Sequence, residues 1–388
     1  MGRRILNHDI MNCTAEGVLG NHLYSGRAVG ISDPEDVVML HPALEADWDA
    51  LCAHYERIGL SHSRQLVWDV CRERLREFPD HQPSVFFFGA EEHQMRPDSD
   101  WHGAVASVNC KNAFMTHAER LGVPVPVTRC FEDAQDIGED AIATTIFPCY
   151  LKASVSVSGV GIFRCQDADA LRRACGEFAP GTPVQIQREV KAESFLNLQY
   201  INDNGQVERL AATEQVLDGY VHQGNRHPAA HAPWEMVDPL ADWLGETGMR
   251  GVFAFDVAVV REPAAQLSTG LSNRLANGLS NDPAKAPAAD ANGVEYLAIE
   301  CNPRFNGASY PTLVADKLGV SEWLAIAFGT RHRCLADLDL NGLEYNPDTG
   351  TGVVLVNWGP IQVGKFLALL AGDRNQQEML ATELGARL

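Results

Sequence analysis

Three polar residues close an apolar run: Glu300 and Asn302 alternate in "YLAIECN", and Arg304 follows after a proline. Residues i and i+2 of an extended strand leave the same face, so the Glu300 carboxylate and the Asn302 amide aim at one point. A further acid, Asp256, interrupts "VFAFDVAVV", where a carboxylate is costly unless a cation or hydrogen-bond donors compensate it. On neighbouring strands the three would form an all-oxygen set for a hard cation, and Mg²⁺ commonly takes one or two carboxylates together with substrate phosphates. Arg304 would then stand where charge develops in phosphoryl transfer. Plain ion pairs compete with this reading: Asp256 with Arg250 or Arg304, and Arg304 with Glu300.

Upstream, "SVSVSGVG" (154–161) follows a strand that carries Lys152. Its small residues would let backbone N–H groups approach phosphate oxygens closely. The loop has neither the GxxxxGK[ST] nor the GxGxxG spacing, and taken alone a simple turn is its ordinary explanation. A lysine in an apolar strand calls for an anionic partner, unless it snorkels from the strand end. Lys111 opens a helical pattern, where an exposed lysine is the ordinary explanation. His227 and His231 are four apart, but Pro228 argues against a helix that would align them, and a solvated loop is expected. Trp101, Trp323 and Trp358 fit a core or a pocket wall.

The elements that would position these groups read as follows. "DVVML" (36–40) and "SVFFFGA" (84–90) have strand character, and the apolar spacing of "SRQLVWDVCRERLREFP" (63–79) predicts a helix between them, hence a small parallel α/β unit. A helix ending at Gly122 follows, then strand, loop and strand over 147–165, a helix at 167–178 and a strand at 182–190. "SFLNLQYI" and "ERLAATEQVL" read as strands of a second sheet, joined by the strands bearing Asp256 and Glu300. Residues 262–293, rich in Ala, Pro, Asn, Ser and Gly with "GLSN" repeated, read as a mobile insertion. The tail holds "GVVLVNWG" and a helix-like "VGKFLALLAG".

The chain has 388 residues, 45% of them hydrophobic, which is enough for two or three domains with real cores. A formal charge of −20 disfavours nucleic acid and anionic lipid as partners. No stretch approaches the roughly 18 apolar residues of a membrane-spanning helix, and the start "MGRRILNHDIMNC" lacks the apolar core of a signal peptide. The 10 cysteines are scattered without metal-ligand spacing, so reduced thiols and a cytoplasmic location are expected.

The order of these pieces resembles the ATP-grasp superfamily. "YLAIECNPRFNGASYP" is similar to its hydrophobic-E-x-N-P-R-F-x-G signature, "PCYLKASVSVSGVG" to its lysine strand and phosphate loop, and "VNCKNAFMTHAERLGVPVPVT" to its first ATP-contacting lysine and the helix after it. The N-terminal segment "EDVVMLHPALEADWDALCAHYERIGL" resembles the pre-ATP-grasp domain of peptide-forming members. The resemblance implies an α/β chain with a Rossmann-like pre-ATP-grasp domain (1–106) and a two-subdomain ATP-grasp fold (107–185 and 186–330) holding ATP between two sheets. A C-terminal segment (331–388) would pack on it. Lys111, Lys152, Ser156, Ser158 and Gly159 would contact phosphates; Gln187, Glu189 and Val190 would line the adenine slot, the acidic position falling to Gln187 or Glu189 according to register. Glu193 would bind ribose. Asp256, Glu300 and Asn302 would hold Mg²⁺, expected as two ions replaceable by Mn²⁺. Arg304 and Lys152 would be catalytic, while Gln215, His222, Arg250 and Arg304 would shape the substrate site.

The activity implied is a carboxylate-amine ligase: ATP phosphorylates a carboxylate, and an amine then displaces phosphate. Amino acids or a short peptide are the expected substrates, and a homodimer the expected assembly. Two alternatives are an ATP-grasp carboxylase working through carboxyphosphate and a protein that binds ATP without turnover.

Overall fold

The computed structural model describes residues 2–14, 18–99, 101–155, 161–203, 205–218, 221–261 and 293–388. The expected phosphate-loop residues Ser156, Ser158 and Gly159 lie outside them, as does the expected insertion up to residue 292.

The described strands form three sheets. The N-terminal sheet is parallel, in the order Gln65–Val67, Val37–Met39, Arg4–Asn7, Gln82–Val85. A small antiparallel sheet runs Thr128–Phe131, Val184–Arg188, Cys149–Ala153, Ile162–Cys165. The third has eight antiparallel strands: Glu295–Asn302, Gly251–Val260, Ser194–Asp203, Gln206–Asp218, Val221–His227, Trp323–Gly329, Lys365–Ala371 and Gly352–Asn357. The two C-terminal strands thus continue the sheet that carries Asp256 and Glu300.

Two sequence expectations are corrected. No helix covers 63–79: Leu66 and Val67 pair with Val38 and Met39, and a short 3-10 helix at Arg72–Glu77 follows. A turn breaks the segment where Asp69 accepts the Cys71 N–H at 2.9 Å, so sheet pairing overrides the apolar spacing. "VGKFLALLAG" is also a strand, because Lys365–Ala371 has a partner on each edge and Phe366, Ala368, Leu369, Leu370 and Ala371 are buried. Its continuous apolar run could not separate a strand from a helix, yet Gly364 and Gly372, both with positive φ, bound it. In "SVFFFGA" the strand stops at Val85, and Phe86 to Phe88 continue as loop.

The helix Lys111–Leu121 ends as expected at Gly122, which takes the left-handed conformation (φ 75°). Phe114, Met115 and Ala118 sink into the core of the large sheet beside Phe253, Phe255 and Ala298. At its start, Lys111 N–H donates to Ser154 O at 2.7 Å, and the Asn112 side-chain amide donates to Phe131 O and Val184 O, each at 3.3 Å. One helix therefore fastens the small sheet to the large one.

The N-terminal unit is tied to the C-terminal strands through buried groups. Trp358 Nε1 donates to Gly26 O at 2.9 Å, and Gly26 must be glycine because a Cβ there would lie 2.9 Å from the indole. His54 is 2% exposed; its Nε2 accepts the Leu355 N–H at 3.1 Å, so Nδ1 carries the proton and donates to Glu344 at 2.6 Å. Arg57 adds two bonds to the same carboxylate. Partial burial pushes Glu344 up, but the His54 and Arg57 bonds outweigh it and hold the acid at about 2. A depressed acid stabilises the fold fully above its ordinary value of 4.5 and loses that contribution as pH falls through about 2. Glu344→Gln is expected to lower stability by about 1–3 kcal/mol at neutral pH, with the gap to wild type closing between those two values. Thermal unfolding of both proteins against pH measures it.

Candidate active site

Asp256 and Glu300 face each other directly across the Gly251–Val260 and Glu295–Asn302 strands. A β-bulge lies beside them: Asp256 pairs with Glu300 and Val257 with Ala298, leaving Ile299 without an opposite residue. Bulges re-aim side chains, and this one sets Glu300 and Asn302 on the face that Asp256 uses. Asp256 accepts from three amides, Asn197 at 2.7 Å, Gln215 at 3.0 Å and Asn302 at 3.0 Å. Burial and the neighbouring Glu300 charge push it above the usual carboxylate range despite these bonds. Burial also works against Glu300, yet Lys111 and Lys152 hold it below its ordinary value. Lys111 Nζ lies 3.2 Å from Glu300 Oε2.

The competing ion pairs, of Asp256 with Arg250 or Arg304 and of Arg304 with Glu300, are not formed among the described residues. Arg304 donates instead to Phe305 O at 3.0 Å and sits over the Phe86 ring, 5.2 Å from its centroid. Nor does Lys152 snorkel into solvent: it donates to Gln187 at 2.7 Å, and burial lowers its pKa to about 8. Gln187 and Gln185 share one face of Val184–Arg188, opposite the core residues Val184 and Ile186. Gln187 is braced by Thr128 at 3.1 Å, whereas neither end of the fully buried Gln185 amide is bonded among the described residues.

The other expected residues are distributed around this centre. Glu189 accepts from Tyr150 at 2.9 Å and from both arms of Arg164, at 2.5 and 2.8 Å. Val190 packs with Ala258, Val260 and Leu297 of the large sheet. Glu193, half exposed, pairs with Arg261 at 2.7 Å. Residues 189–193 thus form the connection between the small and large sheets, and their acids are engaged by arginines. His222 bonds Asn225 at 2.8 Å and approaches Gly307. Arg250 and Arg304 line a cavity of about 240 Å³ between the N-terminal sheet and the large one, with Arg4, Asp33, Trp101 and Lys317 also in its wall. Trp323 and Trp358 are core residues. His227 stacks on Trp323 and His231 bonds Tyr296, so both are packed side chains rather than a solvated pair.

Two contributors escaped the sequence reading. Asn197 holds Asp256 and accepts in turn from Asn306 at 3.3 Å, while Asn306 caps the turn into the helix Ser309–Leu318 by accepting from the N–H groups of Ala308 and Ser309. The signal was present: in "SFLNLQYI" Asn197 and Gln199 alternate with apolar residues and share one face.

Two carboxylates and an amide suit a hard cation. Among the described residues no group of three or more His, Cys, Asp or Glu is placed to hold a metal ion by itself; Mg²⁺ commonly takes one or two carboxylates together with substrate phosphates. Asp256, whose bonds among the described residues come from neutral amides and which burial and then the adjacent acid raise, is the group that such a cation would relieve. Among the described residues no helix is long and apolar enough to cross a membrane.

No family model matches this chain, and no curated protein matches it in sequence. Solved structures do. An ADP complex of the N5-carboxyaminoimidazole ribonucleotide synthetase purK is 12% identical, with 99% of this chain and 96% of that one covered and a TM-score of 0.58. The corresponding synthetase of Thermus thermophilus is 14% identical, with the same coverage and a TM-score of 0.57. The biotin carboxylase domain of the Hydrogenobacter thermophilus 2-oxoglutarate carboxylase, complexed with MgADP and bicarbonate, is 14% identical over 85% of this chain and 75% of that one, with a TM-score of 0.50. From its parallel N-terminal sheet to its last C-terminal strand, this chain has the ATP-grasp fold.

Proposed function

We propose that the protein is an ATP-dependent ligase that activates a carboxylate as an acyl phosphate and couples it to an amine, releasing ADP and phosphate. The observation that carries this is the pairing of Asp256 with Glu300 on adjacent strands, facing Lys111 and Lys152 from the small-sheet side. In this reading Lys111 and Lys152 hold nucleotide phosphates, with Ser156, Ser158 and Gly159 in the loop beyond Lys152. Gln187, Glu189, Val190 and Glu193 border the nucleoside. Asp256, Glu300 and Asn302 hold Mg²⁺, which would neutralise charge on the transferring phosphoryl group. Asn197 and Gln215 keep the Asp256 carboxylate aimed, and Arg304 supplies a fixed cation beside the acyl phosphate. Positioning and electrostatics suffice for such a transfer, without a protein nucleophile.

For the carboxylate, an amino acid or short peptide is one class: the cavity wall carries both signs of charge, Arg250 and Arg304 against Asp203 and Asp316, besides Arg4 and Lys317 paired with Asp33, and so suits a zwitterion. Bicarbonate is the second class. It is favoured by the likeness over nearly the whole chain to the synthetase of Aspergillus clavatus solved with ADP and 5-aminoimidazole ribonucleotide (11% identical, TM-score 0.56, 99% and 98% covered), and by the bicarbonate in the carboxylase complex.

Phosphate release from MgATP, screened against amino acids singly and in pairs and against bicarbonate with amines, separates the classes when products are weighed by mass spectrometry. A condensation product identifies the first, and a carbamate the second. Glu300→Gln is expected to keep the fold and abolish release; normal turnover by that variant would remove the metal assignment. Gln215→Leu should leave folding intact and raise the Mg²⁺ concentration for half-maximal turnover roughly 10- to 100-fold. An unchanged Mg²⁺ requirement would mean that Gln215 does not support Asp256.

A further inference from the structure

Arg27 ends a 3-10 helix, Asn21–Arg27, and is only 6% exposed. Its Nε and Nη2 donors have no hydrogen-bond partner among the described residues. The guanidinium lies between two aromatic rings, 4.4 Å from the Phe86 centroid and 4.3 Å from that of Tyr310, with Tyr24 at 5.3 Å. Asp9 is within electrostatic range but bonds the Met11 N–H at 3.1 Å and makes no ion pair with Arg27. Aromatic faces offset part of the cost of a buried cation, and the Tyr310 hydroxyl interacts with the guanidinium, but Nε and Nη2 stay without an acceptor among the described residues. A guanidinium in this state is complementary to a planar oxyanion, which would take two of those donors at once.

A second cation lies within electrostatic range of it. Arg304 lies 5.2 Å from the same Phe86 centroid, so the two guanidinium carbons are less than about 10 Å apart by the triangle the ring completes. Arg304 bonds only the Phe305 carbonyl among the described residues. Among the described residues neither arginine forms a carboxylate ion pair; Asp9 lies within electrostatic range of Arg27, and Asp256 and Glu300 within that of Arg304. Tyr310 is engaged with His8 Nδ1 at 2.7 Å, and the other ring nitrogen of His8 contacts Ser84 at 3.1 Å.

We propose that Arg27 and Arg304 together bind an oxyanion group of the non-nucleotide substrate at the junction of the N-terminal unit and the Asp256–Glu300 strands. Naming that group as substrate rests on the ligase reading; the anion site itself does not. The same chemistry would receive a carboxylate or a phosphate ester. Arg27 is then a binding residue contributed by the N-terminal unit, which explains why a cation is buried there with no ion-pair partner among the described residues.

The test compares wild type, Arg27→Met and Arg27→Lys by calorimetric titration with inorganic phosphate and, separately, with acetate, in saturating MgADP. ADP affinity and the melting temperature of each ligand-free protein are recorded as well. Arg27→Met is expected to weaken anion binding at least tenfold and Arg27→Lys less, with ADP affinity unchanged. Its ligand-free melting temperature should equal or exceed that of wild type, because an uncompensated charge has been removed. Preference of wild type for phosphate or for acetate identifies the source of the oxyanion. Arg27→Met with undiminished anion binding and a lowered melting temperature would overturn the proposal and make the aromatic sandwich purely structural, as would a wild type that binds neither anion. Failure of ADP to bind the wild type would count against the ligase reading alone, since the anion titrations can be repeated without nucleotide.

Discussion

Two carboxylates set directly opposite on adjacent strands repel each other, and much of this molecule is arranged around holding Asp256 and Glu300 in that position. Three side-chain amides converge on Asp256 and a lysine reaches Glu300. Each support comes from a different element: Asn197 and Gln215 from the next two strands of the large sheet, Asn302 from the strand of Glu300 itself, and Lys111 from the helix that bridges the sheets. Like charges at such a spacing push their titrations apart, and here the lysines keep Glu300 ionised while Asp256 carries the rise. A structure without a cation to receive would gain from replacing Asp256 by a neutral residue, whereas Glu300 is already compensated by Lys111. The pair is therefore the feature of this fold that most strongly calls for a cation.

The bridging helix follows from the same constraint. Its apolar face belongs to the core of the large sheet, while its first turn is fastened to the small sheet through Ser154. Lys111 is consequently fixed with respect to both sheets, and so to the Lys152 strand on one side and Glu300 on the other. Packing of the N-terminal unit against the C-terminal strands, through Trp358, Tyr55 and His54, brings Arg27 and Phe86 up to Arg304. The Asp256–Glu300 strand pair and the cavity under the N-terminal unit thus meet at the segment following Asn302.

Much of this was legible in the sequence, for reasons that differ by residue. Glu300, Asn302 and Asp256 stood out because charge in an apolar run must be compensated, and alternation placed two of them on one face. The helix from Lys111 was marked by its Gly122 cap. Residues 63–79 and 363–372 were misread because their apolar spacing fits a helix and a strand alike, and only pairing with distant strands decides between them. Asn197 could have been found by the alternation that revealed Asn302. Arg27 could not, since "HLYSGRAVG" carries no pattern and its burial between Phe86 and Tyr310 is purely tertiary. The bulge at Ile299, which fixes how Glu300 faces Asp256, is likewise a property of register.

The central claim is that Asp256 and Glu300 form the metal-binding half of a nucleotide site whose other half is Lys111 and Lys152. Calorimetric titration of the wild-type protein with ADP, once in Mg²⁺ and once in EDTA, tests it most directly. The account predicts one ADP bound per chain, at an affinity that falls at least tenfold when the divalent cation is withdrawn. Equal affinity with and without Mg²⁺, or no binding of ADP in either, would contradict it.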